Sequence, residues 1–281
     1  MPVCLYMQTT FNYNESMTSL PAPILFAVDA DGIATLTLNR PERFNAFTAE
    51  MVCLWRSALE NVIATPFIRV LVLTGQGKAF CSGGDMDELE SFLAMDALQK
   101  KDYLWENVHQ IPLLLERVHC PVIAAVNGTA RGAGLDMALM CDIRVISDDA
   151  LVAESYIRLG LMPGDGGAWF LPRLVGISKA LELLWTGDEI GAEEALRIGL
   201  VNRIAPAGEA LNVAMDMARK IARQPQQALR FTKRAVYDNM NGCMTLRAHL
   251  DSVSSHMAVL EDLPEFRAKV DEFRNRKRVA K

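Results

Sequence analysis

From Ile24 the chain alternates apolar with small or polar residues, "ILFAVDADGIATLTLN", on either side of Asp31-Gly32, a pattern that predicts a β-hairpin. A loop "RPERFNAF" follows, and the period then changes. Met51, Leu54, Trp55, Ala58, Leu59 and Val62 fall on one stripe, predicting a helix from about Thr48. A buried strand "RVLVLTG", a glycine loop "FCSGGD" and a mixed helical region to about Val118 come next. The unit then repeats as strand "PVIAAVNG", loop "TARGAG", helix "LDMALM" and strand "DIRVIS". Strands alternating with short helices predict an α/β core with largely parallel pairing.

Beyond about Ala205 the strand pattern stops. Leu211, Ala214, Met215, Ala218 and Ile221 define one helical stripe, and Leu246, Leu250, Val253, Met257 and Leu260 another. Pro264 suits the first turn of a last helix. Residues 1–22 carry Asn, Thr, Ser and Gln with no period and are expected to form a loose extension. The organisation is thus an extension over 1–22, a β-rich core over 23–205 and a helical region over 206–281.

Composition narrows the class. The 281 residues are 51% hydrophobic and 22% charged, enough apolar surface for a folded core. Lys and Arg number 29 against 34 Asp and Glu, without a clustered basic excess, so no nucleic-acid partner is expected. The most apolar stretch, residues 121–141, is broken by Arg131 and Asp136, so no membrane span is expected either. No Lys or Arg precedes Arg40, which argues against the basic start of a targeting peptide. Six cysteines lie scattered without C-x-x-C spacing, the pattern of reduced thiols in a cytoplasmic protein.

Several chemistries fail on spacing. In "AAVNGTARGAGLDMAL" Met137 stands where a dinucleotide fingerprint needs its third glycine, and no phosphate-binding G-x-x-x-x-G-K-[ST] exists. His109, His119, His249 and His256 lack zinc-like spacing, so no metal is expected. Cys81 and Ser82 have no local base, and packing explains them better than nucleophilic attack. Two glycine loops remain, Gly83-Gly84 and Gly132-Ala133-Gly134, each after a buried strand. Taken alone they read first as tight turns, and second as backbone N–H donors converging on an oxyanion.

The blocks "TLNRPERFNAF", "GKAFCSGGDM", "PVIAAVNGTARGAGLDMALMCDIRVISDDA" and "LGLMPGDGGAWFLPRLVG", with "AEEALRIGLVNRI" after them, resemble the signature blocks of the crotonase (enoyl-CoA hydratase/isomerase) superfamily, in order and spacing. The resemblance runs from about residue 24 to the end. It implies an α/β spiral of repeated ββα units closed by a helical C-terminal region, assembled as homotrimers or dimers of trimers. It implies an acyl-CoA substrate, with coenzyme A a carrier of the acyl group and no separate cofactor. By motif position it places the oxyanion hole at the backbone N–H groups of Gly84 and Ala133, and Arg40, Arg43 and Asp85 at the coenzyme A site. Most members have glycine at the second donor position; alanine keeps the N–H.

The pattern departs from the family where hydratases hold a water between two glutamates. Here the two positions are Asp136 and Tyr156. Aspartate is one methylene shorter, and a neutral Tyr156 orients water without deprotonating it. Asp165, in "PGDGG", lies within one residue of an acid used by some double-bond isomerases of the family, and equally suits a helix N-cap. Glu154 precedes Tyr156 by two residues and on a strand would share its face. The expectation is an enolate-stabilising acyl-CoA enzyme with Asp136 as principal proton-transfer group, helped by Asp165, and with double-bond isomerisation slightly preferred. The alternatives are a 2-enoyl-CoA hydratase using Asp136 with Asp165, and a non-catalytic acyl-CoA- or protein-binding scaffold.

Overall fold

The Asp29 carboxylate sets the first turn. It accepts hydrogen bonds from the backbone N–H groups of Asp31 (3.0 Å) and Ile33 (2.9 Å), and Gly32 takes φ +77°. The predicted hairpin therefore closes through a four-residue Asp29–Gly32 loop, with β1 (Ile24–Val28) antiparallel to β2 (Ile33–Leu38). The computed structural model describes residues 22–242 and 244–279. The expected loose extension thus lies outside the described residues, apart from residue 22.

Thr48 caps α1 (Ala49–Ala64) by accepting from the Met51 N–H. Its apolar stripe is buried as predicted, with Trp55 and Leu59 essentially sealed from solvent. The strand pairs then alternate between two layers. Strands β3 (Val70–Gly75) and β4 (Ala79–Cys81) lead into α2 (Met86–Leu93), α3 (Ala97–Tyr103), a π-helical turn over Leu104–Val108 and α4 (Gln110–Arg117). Next come β5 (Val122–Val126), β6 (Thr129–Arg131) and α5 (Ala133–Leu139). They are followed by β7 (Ile143–Ser147), β8 (Leu151–Ala153), a 3₁₀ turn over Ser155–Leu159, α6 (Gly167–Val175) and α7 (Ile177–Thr186). Finally β9 (Ile190–Gly191), α8 (Ala192–Arg197) and β10 (Arg203–Ala205) complete the core.

The first strands of the pairs β3–β4, β5–β6 and β7–β8 join β1, β2 and β10 in a six-stranded sheet ordered β1-β2-β3-β5-β7-β10, parallel except at β1–β2. The second strands of those pairs stack with β9 into a smaller sheet ordered β4-β6-β8-β9. This stepwise stacking is the spiral of ββα units expected from the sequence. Strands β3 and β5 are buried at every position, because helices cover both faces of the larger sheet.

The C-terminal region is all helical: α9 (Ala210–Ala222), α10 (Gln226–Asn241), α11 (Leu246–Asp262) and α12 (Pro264–Val279), with Pro264 opening the last as predicted. On α9 the buried seam is Ala210, Ala214, Ala218 and Ala222, whereas the larger Leu211, Met215 and Ile221 are only half-buried. Small side chains bring this helix close against Val70, Val72, Ile123 and Val145. Helix α10 is fastened to the core at Asp142, which receives hydrogen bonds from Lys233 and Tyr237, both at 2.8 Å. The α11 stripe, by contrast, is only partly covered by the described residues: Val253 and Leu260 are half-buried, no residue of that helix is buried, and Leu246 is 72% exposed.

Candidate active site

Parallel pairing of β4 with β6 sets the two glycine loops side by side. Gly134 has no room for a Cβ, which would run into the Cys81 carbonyl, so only glycine lets α5 begin against the end of β4. Ala133 is the first residue of that helix, and its N–H has no acceptor within it. Gly84 is exposed and faces open space. Cys81 beside it is fully buried, and burial pushes its thiol up to about 12, far from a reactive thiolate.

Gly84 opens onto a cavity of about 330 Å³. Its walls are apolar: Phe47, Leu89, Phe92, Met95, Leu104 and Val108, with Tyr103 packed edge-on against Phe92 at 5.8 Å. These residues come from the approach to α1, from α2 and the turn after it, and from the end of α3 with the π-helical turn. No motif marked them, because they converge only when three separate segments fold together.

Asp165 lines the same cavity. Behind it lie two further groups, one phenolic and one acidic. The Tyr156 hydroxyl stands 2.8 Å from Asp136 Oδ2 and 2.9 Å from Asp165 Oδ2, and the Asp165 N–H donates to Asp136 Oδ2 at 3.2 Å. The structure thus brings Asp136, Tyr156 and Asp165, all expected from the sequence, into one hydrogen-bonded group. It does not support the N-cap alternative for Asp165: α6 is capped by Gly166 without a side-chain bond, and the Asp165 carboxyl turns to Tyr156 instead. Asp136 sits in the first turn of α5 with no exposed surface, whereas Asp165 retains 6%.

Burial raises every member of the group. Asp136 is pushed up to about 6, first by burial and then by the neighbouring Asp165, against opposing hydrogen bonds from Tyr156 and Glu154. Burial likewise lifts Asp165, opposed by its Tyr156 hydrogen bond and by His109. Tyr156 is driven well above the ordinary phenol value by burial and the two aspartates, so it stays protonated. His109 also belongs here, although no motif marks it. Its Nε2 lies 2.8 Å from the Gly164 carbonyl, an acceptor only, so this nitrogen carries the ring proton.

Arg40, Arg43 and Asp85 also come together, but chiefly on one another. Arg40 Nη1 bonds Asp85 Oδ2 at 2.8 Å and the Ala46 carbonyl at 2.6 Å, while Arg43 reaches Asp85 at 3.4 Å and pairs with Asp87. Asp85 is buried, and these contacts brace the loop that carries Gly84. Asn45, unnoticed in the sequence, locks the same loop from a left-handed conformation, φ +56°, by donating to the carbonyls of Gln76 and Ala79. Of the two arginines, Arg43 keeps the more open side chain.

The sequence profile of the enoyl-CoA hydratase/isomerase family matches residues 29–271. Curated relatives include the probable enoyl-CoA hydratase echA12 of Mycobacterium bovis, 38% identical over 78% of each chain. Another is the crotonyl-CoA hydratase of Syntrophomonas wolfei, 37% identical over 74% of this chain and 79% of its own. Among solved structures, an enoyl-CoA hydratase of Mycobacterium smegmatis superposes with a TM-score of 0.83 at 31% identity, covering 90% of this chain and 96% of that one. A profile spanning most of the chain, the shared spiral fold and the paired glycine loops lead to one conclusion: this chain is an enzyme of the enoyl-CoA hydratase/isomerase family.

Proposed function

We propose that the enzyme holds an unsaturated acyl-CoA thioester with its carbonyl oxygen at the Gly84 and Ala133 N–H groups and moves the double bond by proton transfer through Asp165. Removing a proton beside a thioester puts negative charge on that oxygen, where a preorganised donor contributes roughly 3 to 4 kcal/mol. The acyl group fits the apolar cavity, and Asp165 is the member of the acidic group that lines it. Asp136 then serves from behind, through Tyr156. Coenzyme A enters as part of the substrate, so the scheme calls for no separate cofactor.

The observation that carries isomerisation is the position of the Tyr156 hydroxyl. A water activated jointly by Asp136 and Asp165 needs the point between their carboxylates, and the hydroxyl already fills it. Isomerisation requires only one carboxylate that takes a proton from one carbon and returns it two carbons away. The second reading, hydration of a 2-enoyl-CoA, is favoured by the hydratase names of the relatives. Incubation with 2-enoyl-CoA and 3-enoyl-CoA in heavy-oxygen water separates the two. Isomerised product of unchanged mass is expected; stoichiometric gain of one labelled oxygen in a 3-hydroxyacyl-CoA decides for hydration.

The partly covered α11 stripe supports self-association through the C-terminal helices. Leu250, Met257 and Val259 are each about half exposed on the isolated chain. A trimer or a dimer of trimers is the expected species in sedimentation at micromolar concentration, and a monomer there removes this part of the proposal.

A further inference from the structure

Glu154 has not been given a role, yet it is among the most enclosed polar side chains described, with 1% of its surface exposed. The chain leaves β8 at this residue and turns into the 3₁₀ segment, so Glu154 and Tyr156 do not simply share a strand face. They approach Asp136 from two sides. Tyr156 meets Oδ2, while Glu154 Oε1 and Asp136 Oδ1 crowd together over Gly167, where a Cβ would strike Oδ1 and come within 2.9 Å of Oε1.

Among the described residues no hydrogen bond of ordinary geometry closes on either Glu154 oxygen or on Asp136 Oδ1, although the Gly167 N–H lies near enough to Asp136 to favour its anion. The free oxygens of the two carboxyls thus meet on the same side of Gly167, acceptor against acceptor. Such a contact is attractive only if one of the two carries a proton. Asp136 is the better anion, since its second oxygen is contacted by the Tyr156 hydroxyl and the Asp165 N–H, whereas Glu154 has no donor at all. The proton belongs on Glu154.

A second count follows from Tyr156. Its hydroxyl has one proton but lies within bonding distance of two carboxylate oxygens. Both contacts are favourable only when one aspartate is protonated and donates to the phenol oxygen while the phenol donates to the other.

We propose that Glu154 is a positioning residue that keeps its own proton, donates it to Asp136 Oδ1, and leaves one proton for Asp136 and Asp165 to exchange through the Tyr156 hydroxyl. The proposal rests on the acid–base role given above to Asp165. In the exchange, the Asp165 proton passes to the phenol oxygen as the phenol proton passes to Asp136 Oδ2. The negative charge thereby moves to the cavity, and no other species is consumed. Burial and the charge of Asp136 push Glu154 up to about 10, in keeping with this assignment. The groups facing the cluster are Asp136 from α5, Tyr156 from the 3₁₀ turn, Asp165 ahead of α6 and His109 beside Asp165.

The test is an infrared titration of the full-length enzyme without substrate, comparing wild type, Glu154→Gln and Glu154→Leu. At about pH 8, once the aspartate pair has lost its shared proton, the wild type is expected to keep a carboxylic-acid carbonyl band that Glu154→Gln loses. The transition of the aspartate pair is expected to stay in place in Glu154→Gln, which still has a donor. In Glu154→Leu, which has none, it is expected to rise by about one pH unit. The acid limb of the kcat profile should follow the same order. An ionised Glu154 predicts otherwise: no band, and a transition that falls in Glu154→Gln because a negative charge has been removed. Either of those results overturns the proposal, and the wild-type and Glu154→Gln spectra decide even if Glu154→Leu does not fold. Because the resting enzyme is measured, the spectra stand apart from the isomerase reading, which fails separately if Asp165→Asn turns over normally.

Discussion

Asp165→Asn is expected to lower turnover on an enoyl-CoA by about 1,000-fold, within the range for loss of a positioned general acid–base group. Asparagine has nearly the shape of aspartate and can still hydrogen-bond Tyr156, so the cavity should keep its form. What it cannot do is accept a proton from carbon and return it. Asp136→Asn is the informative companion, because Asp136 has no exposed surface and is joined to the cavity-lining Asp165 through Tyr156. Activity surviving in Asp165→Asn but absent in Asp136→Asn would give the direct role to the inner carboxylate, the residue that motif position alone favours. Steady-state kinetics on variants checked by circular dichroism settle the order.

The same pair of variants connects the site to stability. The folded enzyme holds Asp136 at about 6, above the carboxyl range of an unfolded chain. A carboxyl raised on folding contributes stability that is complete below its unfolded value and is lost as pH rises through its folded value. The acidic group therefore weighs against the fold at neutral pH, where burial of charge is least favourable. Asp136→Asn removes that dependence, so its melting temperature is expected to fall less than the wild type's between about pH 4 and 7. A site whose charges oppose the fold while suiting proton transfer is understandable as a functional compromise.

Local patterns carried much of the fold into view. Asp29 through Gly32 and Thr48 act on their own neighbours, so the hairpin and the start of α1 are legible from short stretches. The acidic site is different. Asp136, Tyr156 and Asp165 stand out only against a family pattern, and nothing in their spacing says which of them lines the cavity. That depends on α6 starting at Gly167, with Asp165 just ahead of it, and on α5 being pressed against Cys81. A period-two reading that puts Glu154 and Tyr156 on one face assumes that the strand continues, whereas it ends at Ala153. On α9, larger apolar residues dominate any hydrophobicity pattern, yet the tightest seam belongs to alanines, because closeness to the sheet outweighs side-chain size there. The apolar cavity was invisible for the same reason: its walls are assembled by tertiary contacts among segments that look like ordinary amphipathic helices.

Ala133→Pro is expected to reduce turnover by roughly 100- to 1,000-fold while leaving the fold in place, since it deletes one of the two proposed backbone donors. The position is unusually suited to the experiment. Ala133 is the first residue of α5, where proline is favoured because the missing N–H has no intrahelical acceptor and the fixed φ suits a helix start. The preceding residue is Gly132, whose φ of +50° and ψ of −124° lie outside the α region that a following proline disfavours. The ring would replace the N–H with carbon at the point where the thioester oxygen is proposed to sit. Ala133→Gly, which keeps the N–H, is expected to lose far less. Comparing the two variants separates loss of the donor from disturbance of the loop. If both fall together, the loop shape matters more than the hydrogen bond; if Ala133→Pro turns over like the wild type while remaining folded, this N–H is not part of the oxyanion hole.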